Sequence, residues 1–241
     1  MSQQLLTQCY RVVESQLNDA DMSLTVGFGT RAWCDATRRL RGRVSAPTFE
    51  PEFHREMTAY HLRIDHASYG IVALAACRRF AGEFLPAVQS GALWYEINAP
   101  AEFMTCNILS DELPELRNVA FLGGLWVSPV LQGCGIGGAL SMINKLTALA
   151  RWPETTCFTA TIREQNFAKV SAAGRSYLKE YEASAPLWRG YYPPTENIEM
   201  LHLATLGAEV ILARANPTGF RLSVQSVESS PDASRYAHGR A

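Results

Sequence analysis

Between Leu125 and Leu146 the chain reads LWVSPVLQGCGIGGALSMINKL, an apolar strand-like run and an amphipathic helix-like run with Gly133, Gly135, Gly137 and Gly138 between them. A strand that passes through a glycine loop into a helix aims several main-chain N–H groups at one point, and the helix dipole adds partial positive charge there. Such a nest suits a phosphate. A tight turn with positive φ needs one or two glycines; four leave bare backbone for something to approach.

The elements around this loop follow from periodicity. Leu140, Ile143, Leu146 and Leu149 repeat at three-residue steps, widened by Met142 and Ala150, and predict a helix closed by Trp152-Pro153. Pro129 marks the limit of the strand NVAFLGGLWV, because proline cannot donate to a ladder. YGIVALAACRRF, bounded by Gly70 and by Arg78 and Arg79, predicts a central strand. ALWYEI, TCFTATI and the alternating Leu24, Val26 and Phe28 of SLTVGFG predict further strands. Leu5, Cys9, Val12, Val13 and Leu17 predict a first helix ending near NDAD, and Phe167, Val170, Tyr177, Leu178 and Tyr181 a later one. The mixed stretch from Arg31 to His66 is expected to hold one or two helices. PLWRGYYPPTEN reads as a loop, and AEVILARANPTGFRLSV as a hairpin turning at Asn216, Pro217 and Gly219. A length of 241 residues suits one domain. Residues 1–69 form its N-terminal helical and strand portion, 70–225 its core, and 226–241 a polar tail expected to be disordered.

Charge and cysteines narrow the partners. A net charge of -1 with 19% charged residues provides no field to recruit nucleic acid or an acidic membrane. Arg38, Arg39, Arg41 and Arg43 read as a solvated helix end. Six cysteines without a CxxC pair, a histidine cluster or a preceding leader predict reduced thiols in the cytoplasm and no metal site. No apolar run approaches the ~20 residues of a membrane span. The expected partner is a small molecule.

Gly133, Gly135 and Gly138 satisfy the dinucleotide pattern GxGxxG, yet Pro129 and Gln132 separate the strand from the first glycine, and the place about 20 positions onward, where that fold wants an acidic residue, reads TTCFTAT with Glu154 before the strand. A kinase-type P-loop is excluded because no Gly-Lys followed by Ser or Thr is present. Taken whole, VSPVLQGCGIGGAL resembles the acyl-CoA-binding signature of the GNAT superfamily of N-acyltransferases, V-x-P-x-x-(Q/R)-G-x-G-(I/V)-(G/A)-x-x-L. The matching positions are Val127, Pro129, Gln132, Gly133, Gly135, Ile136, Gly137 and Leu140. The resemblance covers roughly residues 70 to 185. It implies a GNAT-like α/β fold, with a mixed, mostly antiparallel sheet flanked by helices. It also implies that the pyrophosphate of acetyl-CoA, or of another acyl-CoA, rests on the amides from Gln132 through Cys134 to Gly138. The pantetheine arm would pair with Leu125 to Val127 like an added strand where a bulge opens the sheet. Asn166 falls where the family places an asparagine near the pantetheine. The implied activity is transfer of an acetyl or other short acyl group to a small-molecule or peptide amine, in an assembly that includes the homodimer among its options.

Such a transfer needs a neutral amine, a donor for the charge that builds on the carbonyl oxygen, and a proton for the departing thiolate. A lysine-like amine has a pKa near 10.4, so a base or water relay, or a low-pKa acceptor, is required. The N–H of Val127 or its neighbour is the expected donor, worth about 10²–10³ in rate. The family's acidic tyrosine would fall at Ala172 or Ala173; Tyr177, one turn on, is the catalytic candidate. The glutamate common on the preceding strand is missing from VAFLGGLWV. Glu96, His61, His202 and Ser171 are further polar candidates, and Trp188, Tyr191 and Tyr192 could wall an acceptor pocket. The two departures also fit a non-catalytic acyl-CoA-binding regulatory or interaction module.

Overall fold

The computed structural model describes residues 3–42, 47–99, 107–108, 116–163, 187–190, 199–214 and 222. In chain order the elements are α1 Gln3–Asn18, β1 Met22–Phe28, α2 Arg31–Arg41, β2 Ala59–His66, β3 Gly70–Glu83, α3 Phe84–Gln89, β4 Asn107–Ile108, β5 Arg117–Val127, α4 Ile136–Arg151, β6 Cys157–Arg163, β7 Leu187–Gly190, β8 Glu199–Gly207 and α5 Ala208–Arg214. Short 3-10 turns occupy Pro47–Phe49, Glu56–Thr58 and Pro129–Leu131.

The strands form one sheet in the order β1-β2-β3-β5-β6-β8-β7-β4. Every neighbouring pair is antiparallel except β5 and β6. This is the mixed, mostly antiparallel α/β arrangement expected. The apolar run of β3 sits inside the sheet and serves both faces. Ala73, Ala75 and Cys77 join a core with α1, α4 and α5, whereas Leu74, Ala76 and Phe80 join a second core with Trp33, Phe49 and Phe84. Side chains alternate across a strand, so a strand covered on both faces must be apolar throughout.

α1 buries Leu6, Cys9, Val13 and Leu17 along one stripe, and Asp21, at φ 54°, turns the chain into β1. α4 buries Ile136, Leu140, Ile143 and Leu146 and ends at Arg151, before Pro153. Both helices match the periodicity.

Four segments differ from the sequence reading. ALWYEI is not a strand: Gly91, at φ 80°, starts a turn, and the Trp94 and Tyr95 amides donate to the Gly91 carbonyl. Its aromatic content reflects burial, with Leu93, Trp94 and Tyr95 all in the second core. Residues 187–190, inside the expected loop, are strand β7. The expected hairpin begins with α5 instead, where Ala208 and Ile211 are buried at helical spacing. β2 was hidden by its polar alternate residues. Tyr60, Leu62 and Ile64 are buried on one face; on the other, His61 lies 2.9 Å from the Gly29 carbonyl and Arg63 grips Asp65 at 2.6 and 2.7 Å.

Candidate functional site

β5 is bulged at its two glycines. Gly123 faces Ala76 and Trp126 faces Leu74, so Gly124 and Leu125 together stand opposite Ala75. Gly124 has φ 61°. Neither glycine admits a side chain: a Cβ at Gly124 would lie 2.1 Å from Trp33 Cζ2, and one at Gly123 2.3 Å from Phe49 Cε2.

Along its other edge β5 pairs with β6 only at Val119–Cys157, Ala120–Phe158 and Phe121–Thr159. Both strands continue, β5 to Val127 and β6 to Arg163, without further pairing, so a gap opens between them among the described residues. The Ser128 amide donates to Val72 of β3 at 2.8 Å. Because an antiparallel strand alternates its polar groups between edges, the main-chain groups of Val127 turn toward the gap. The Gln132 side-chain amide donates to the Val127 carbonyl at 3.2 Å. That leaves the Val127 N–H as the free group of the pair.

The glycine loop follows. Gly133 (φ 90°) and Gly135 (φ 85°) take backbone conformations that favour glycine, and Gly135 caps α4 without any side-chain bond. The first helical donor is Ala139, to the Gly135 carbonyl at 3.1 Å. Ile136, Gly137 and Gly138 precede it, so their N–H groups have no intrahelical acceptor. With Gly133 and Gly135 they make five amides that meet no acceptor among the described residues. The amides of Gln132 and Cys134, also expected in the cradle, instead close turns by donating to the Pro129 and Leu131 carbonyls at 3.3 and 3.4 Å. Gln132, Gly133 and Gly135 are exposed, whereas Ile136 anchors the loop with its side chain in the core. No acidic residue lies in the first turn of α4 to oppose an anion.

Gly137 tests whether a phosphate group fits. A Cβ there would meet only Val127 Cγ2, at 3.5 Å, an ordinary contact. Neither packing nor backbone angle requires glycine at this point, which distinguishes it from Gly123, Gly124, Gly133 and Gly135. A bare backbone beside five free amides suits a bulky anion that comes close to the main chain.

The other candidates that fall among the described residues are dispersed. Asn166, Ser171, Tyr177, Tyr191 and Tyr192 lie outside the described residues. Glu96 is committed to Arg78 at 2.5 Å and reaches Arg55 at 3.7 Å. Burial pulls the Arg78 guanidinium down to about 10, and Glu96 opposes that shift. His61 is buried over Gly27, where a Cβ would lie 2.2 Å from its ring. His202 lies in β8 opposite Ile162 and Leu187, and Trp188 in β7 opposite Leu201 and Ile108. Trp33 and Phe49 were not foreseen. Their sequence signal was the Gly123-Gly124 pair inside a strand, which marks close approach of a bulky group.

No family model matches the chain, and no curated protein matches it. Several solved structures do. The ribosomal-protein-S18-alanine N-acetyltransferase from Escherichia coli is 16% identical, with a TM-score of 0.42 over 77% of this chain and 94% of that one. NAA60 from Arabidopsis thaliana in complex with acetyl-CoA is 12% identical, with a TM-score of 0.44 over 77% and 98%. FeeM, an N-acyl amino acid synthase from uncultured soil microbes, is 11% identical, with a TM-score of 0.45 over 77% and 92%. These likenesses are distant.

Proposed function

We propose that the chain is an acyl-CoA-dependent N-acyltransferase that passes an acetyl or other short acyl group to a small-molecule or peptide amine. One observation carries this reading: five unpartnered amides at the start of α4 adjoin the unpaired edge of a bulged strand. The amides of Gly133, Gly135, Ile136, Gly137 and Gly138 would hold the pyrophosphate. Leu125 to Val127 would pair with the pantetheine amides as a neighbouring strand does. When bound, acyl-CoA supplies an activated thioester whose carbonyl can accept an amine.

The chain's own groups then have separate tasks. The Val127 N–H, turned toward the gap, supports the charge that builds on the carbonyl oxygen. Asn166 is proposed to steady the pantetheine, and Tyr177 to donate the proton that the departing thiolate takes up, while the attacking amine releases its own proton to water. Titration calorimetry with acetyl-CoA and with CoA is the direct test. Micromolar binding of both supports the reading, and no binding of either removes it.

A second reading is favoured by one feature: the gap-lining stretch from Leu122 to Val127 carries no carboxylate. A binding module without catalysis would need none. Thiol release with a panel of amines separates the two, since a module binds CoA yet releases no thiol above background.

A further inference from the structure

β1 is an outermost strand of the sheet, and among the described residues no strand pairs with its outer edge. Two bonds at its ends show which way its main-chain groups point. The Gly29 amide donates to the Ala59 carbonyl at 3.0 Å, and the Ala67 amide to the Asp21 carbonyl at 2.9 Å. Both bonds continue the register in which Thr25 faces Arg63, and both fall on odd-numbered residues of β1. Ser23, Thr25 and Gly27 therefore spend their polar groups on β2, whereas Met22, Leu24, Val26 and Phe28 turn theirs outward.

An open edge of this kind is usually guarded by lysine, by proline or by a bulge. Here MSLTVGF holds no charge and no proline, and its register with β2 is unbroken. Val26 is 42% exposed and Phe28 79%. The two ends of the strand differ in charge. Asp19 and Asp21, both exposed, precede it. At the other end Arg31 lies exposed, 3.5 Å from Glu56, and the Arg151 guanidinium sits 4.5 Å over the Phe28 ring. A second β1 laid antiparallel brings unlike ends together; a parallel one brings like ends together.

We infer that the outer edge of β1 pairs antiparallel with β1 of a second copy of this chain, with Thr25 facing Thr25 on the two-fold axis. The main chain sets this register. It places Met22 opposite Phe28 and Leu24 opposite Val26, so all four outward residues of each copy exchange bonds. Sliding one copy by two residues leaves an outward residue of each copy beyond the ladder. The same register carries the Asp19 and Asp21 end of each copy to the Arg31 end of the other. The gap beside β5 lies beyond β2 and β3, away from this junction, so the inference stands apart from the proposed acyl-CoA site.

Sedimentation equilibrium of the full chain over a micromolar range tests it, and the wild-type protein is expected to be a dimer. The Thr25 side chain is exposed, so a charge there acts at the junction alone. Thr25→Lys sets two ammonium groups face to face and Thr25→Asp two carboxylates; each is expected to weaken the dimer at least about tenfold, and their equimolar mixture to restore it. Val26→Pro removes one outward N–H and spares the ladder with β2, and it is expected to weaken the dimer as well. Should the proline variant not fold, the two charged variants carry the test. A wild-type monomer overturns the inference and leaves the edge to a strand of another protein. A dimer that persists unchanged in the folded variants overturns it too, because the copies then meet elsewhere. A mixture of the charged variants that stays monomeric overturns the placing of Thr25 on the axis.

Discussion

The indole of Trp33 fills the place where a side chain at Gly124 would start, with Cζ2 2.1 Å from the position a Cβ would take. Gly124→Ala therefore combines a left-handed backbone, costing about 1–2 kcal/mol, with overpacking of about 1–3 kcal/mol. The variant should lose about 3 kcal/mol, read as a lower midpoint in urea. An unchanged midpoint would contradict the contact.

Gly137→Ala should behave in the opposite way. The added methyl meets only Val127, and alanine is favoured over glycine in a helix by up to about 1 kcal/mol. Stability should hold or rise, whereas affinity for acetyl-CoA should drop at least about tenfold because the methyl stands where the phosphates approach. Normal affinity would mean that the phosphates rest elsewhere.

Glu96→Gln removes the counter-charge of a cation that is 1% exposed. Breaking such a pair typically costs about 3–5 kcal/mol, and the partial exposure of Glu96 argues for the lower end. The loss should appear in a thermal melt, with binding of acetyl-CoA retained by the folded fraction. A substitution that abolished binding without lowering stability would return Glu96 to the list of site residues.

His54 makes stability depend on pH. Burial first, and the Arg78 guanidinium second, hold its pKa below 6.5, with Glu96 opposing them; its Nε2 lies 2.9 Å from Thr30 Oγ1. The unfolded chain thus takes up a proton near pH 6.5 that the folded chain refuses. The contribution is complete above that pH and is lost as the pH falls toward the folded value, by up to about 1.4 kcal/mol per pH unit. Urea melts at pH 7.5 and pH 5.5 should show a smaller acid loss in His54→Gln than in the wild type. Equal losses would remove His54 from this role.

Much of the architecture was legible because it depends on local repetition. The stripe from Leu140 to Leu149 and the apolar run of β3 identify themselves, and the glycine loop announces a meeting of strand and helix. β2 and α5 were not legible for different physical reasons. β2 alternates correctly, but His61, Arg63 and Asp65 gain their partners only in the folded chain. α5 carries Val210 and Ile211, residues that suit a strand in isolation, and tertiary packing of Ile211 decides for the helix. At the site, the sequence pointed to the amides but could not tell which were spent inside the loop. That depends on the turns made by Gln132 and Cys134. Nor could it bring Trp33 and Phe49, roughly 80 residues away, onto the bulge.

The three residue pairs that join β5 to β6 have one more consequence. Four strands lie on each side of that junction, so half of the sheet is tied to the other half by a very short ladder among the described residues. A guest that fills the gap lengthens this tie with bonds of its own. Occupancy and the stiffness of the far panel then become a single variable, and amide exchange in β6 and β8 should report the guest as directly as any assay of its chemistry.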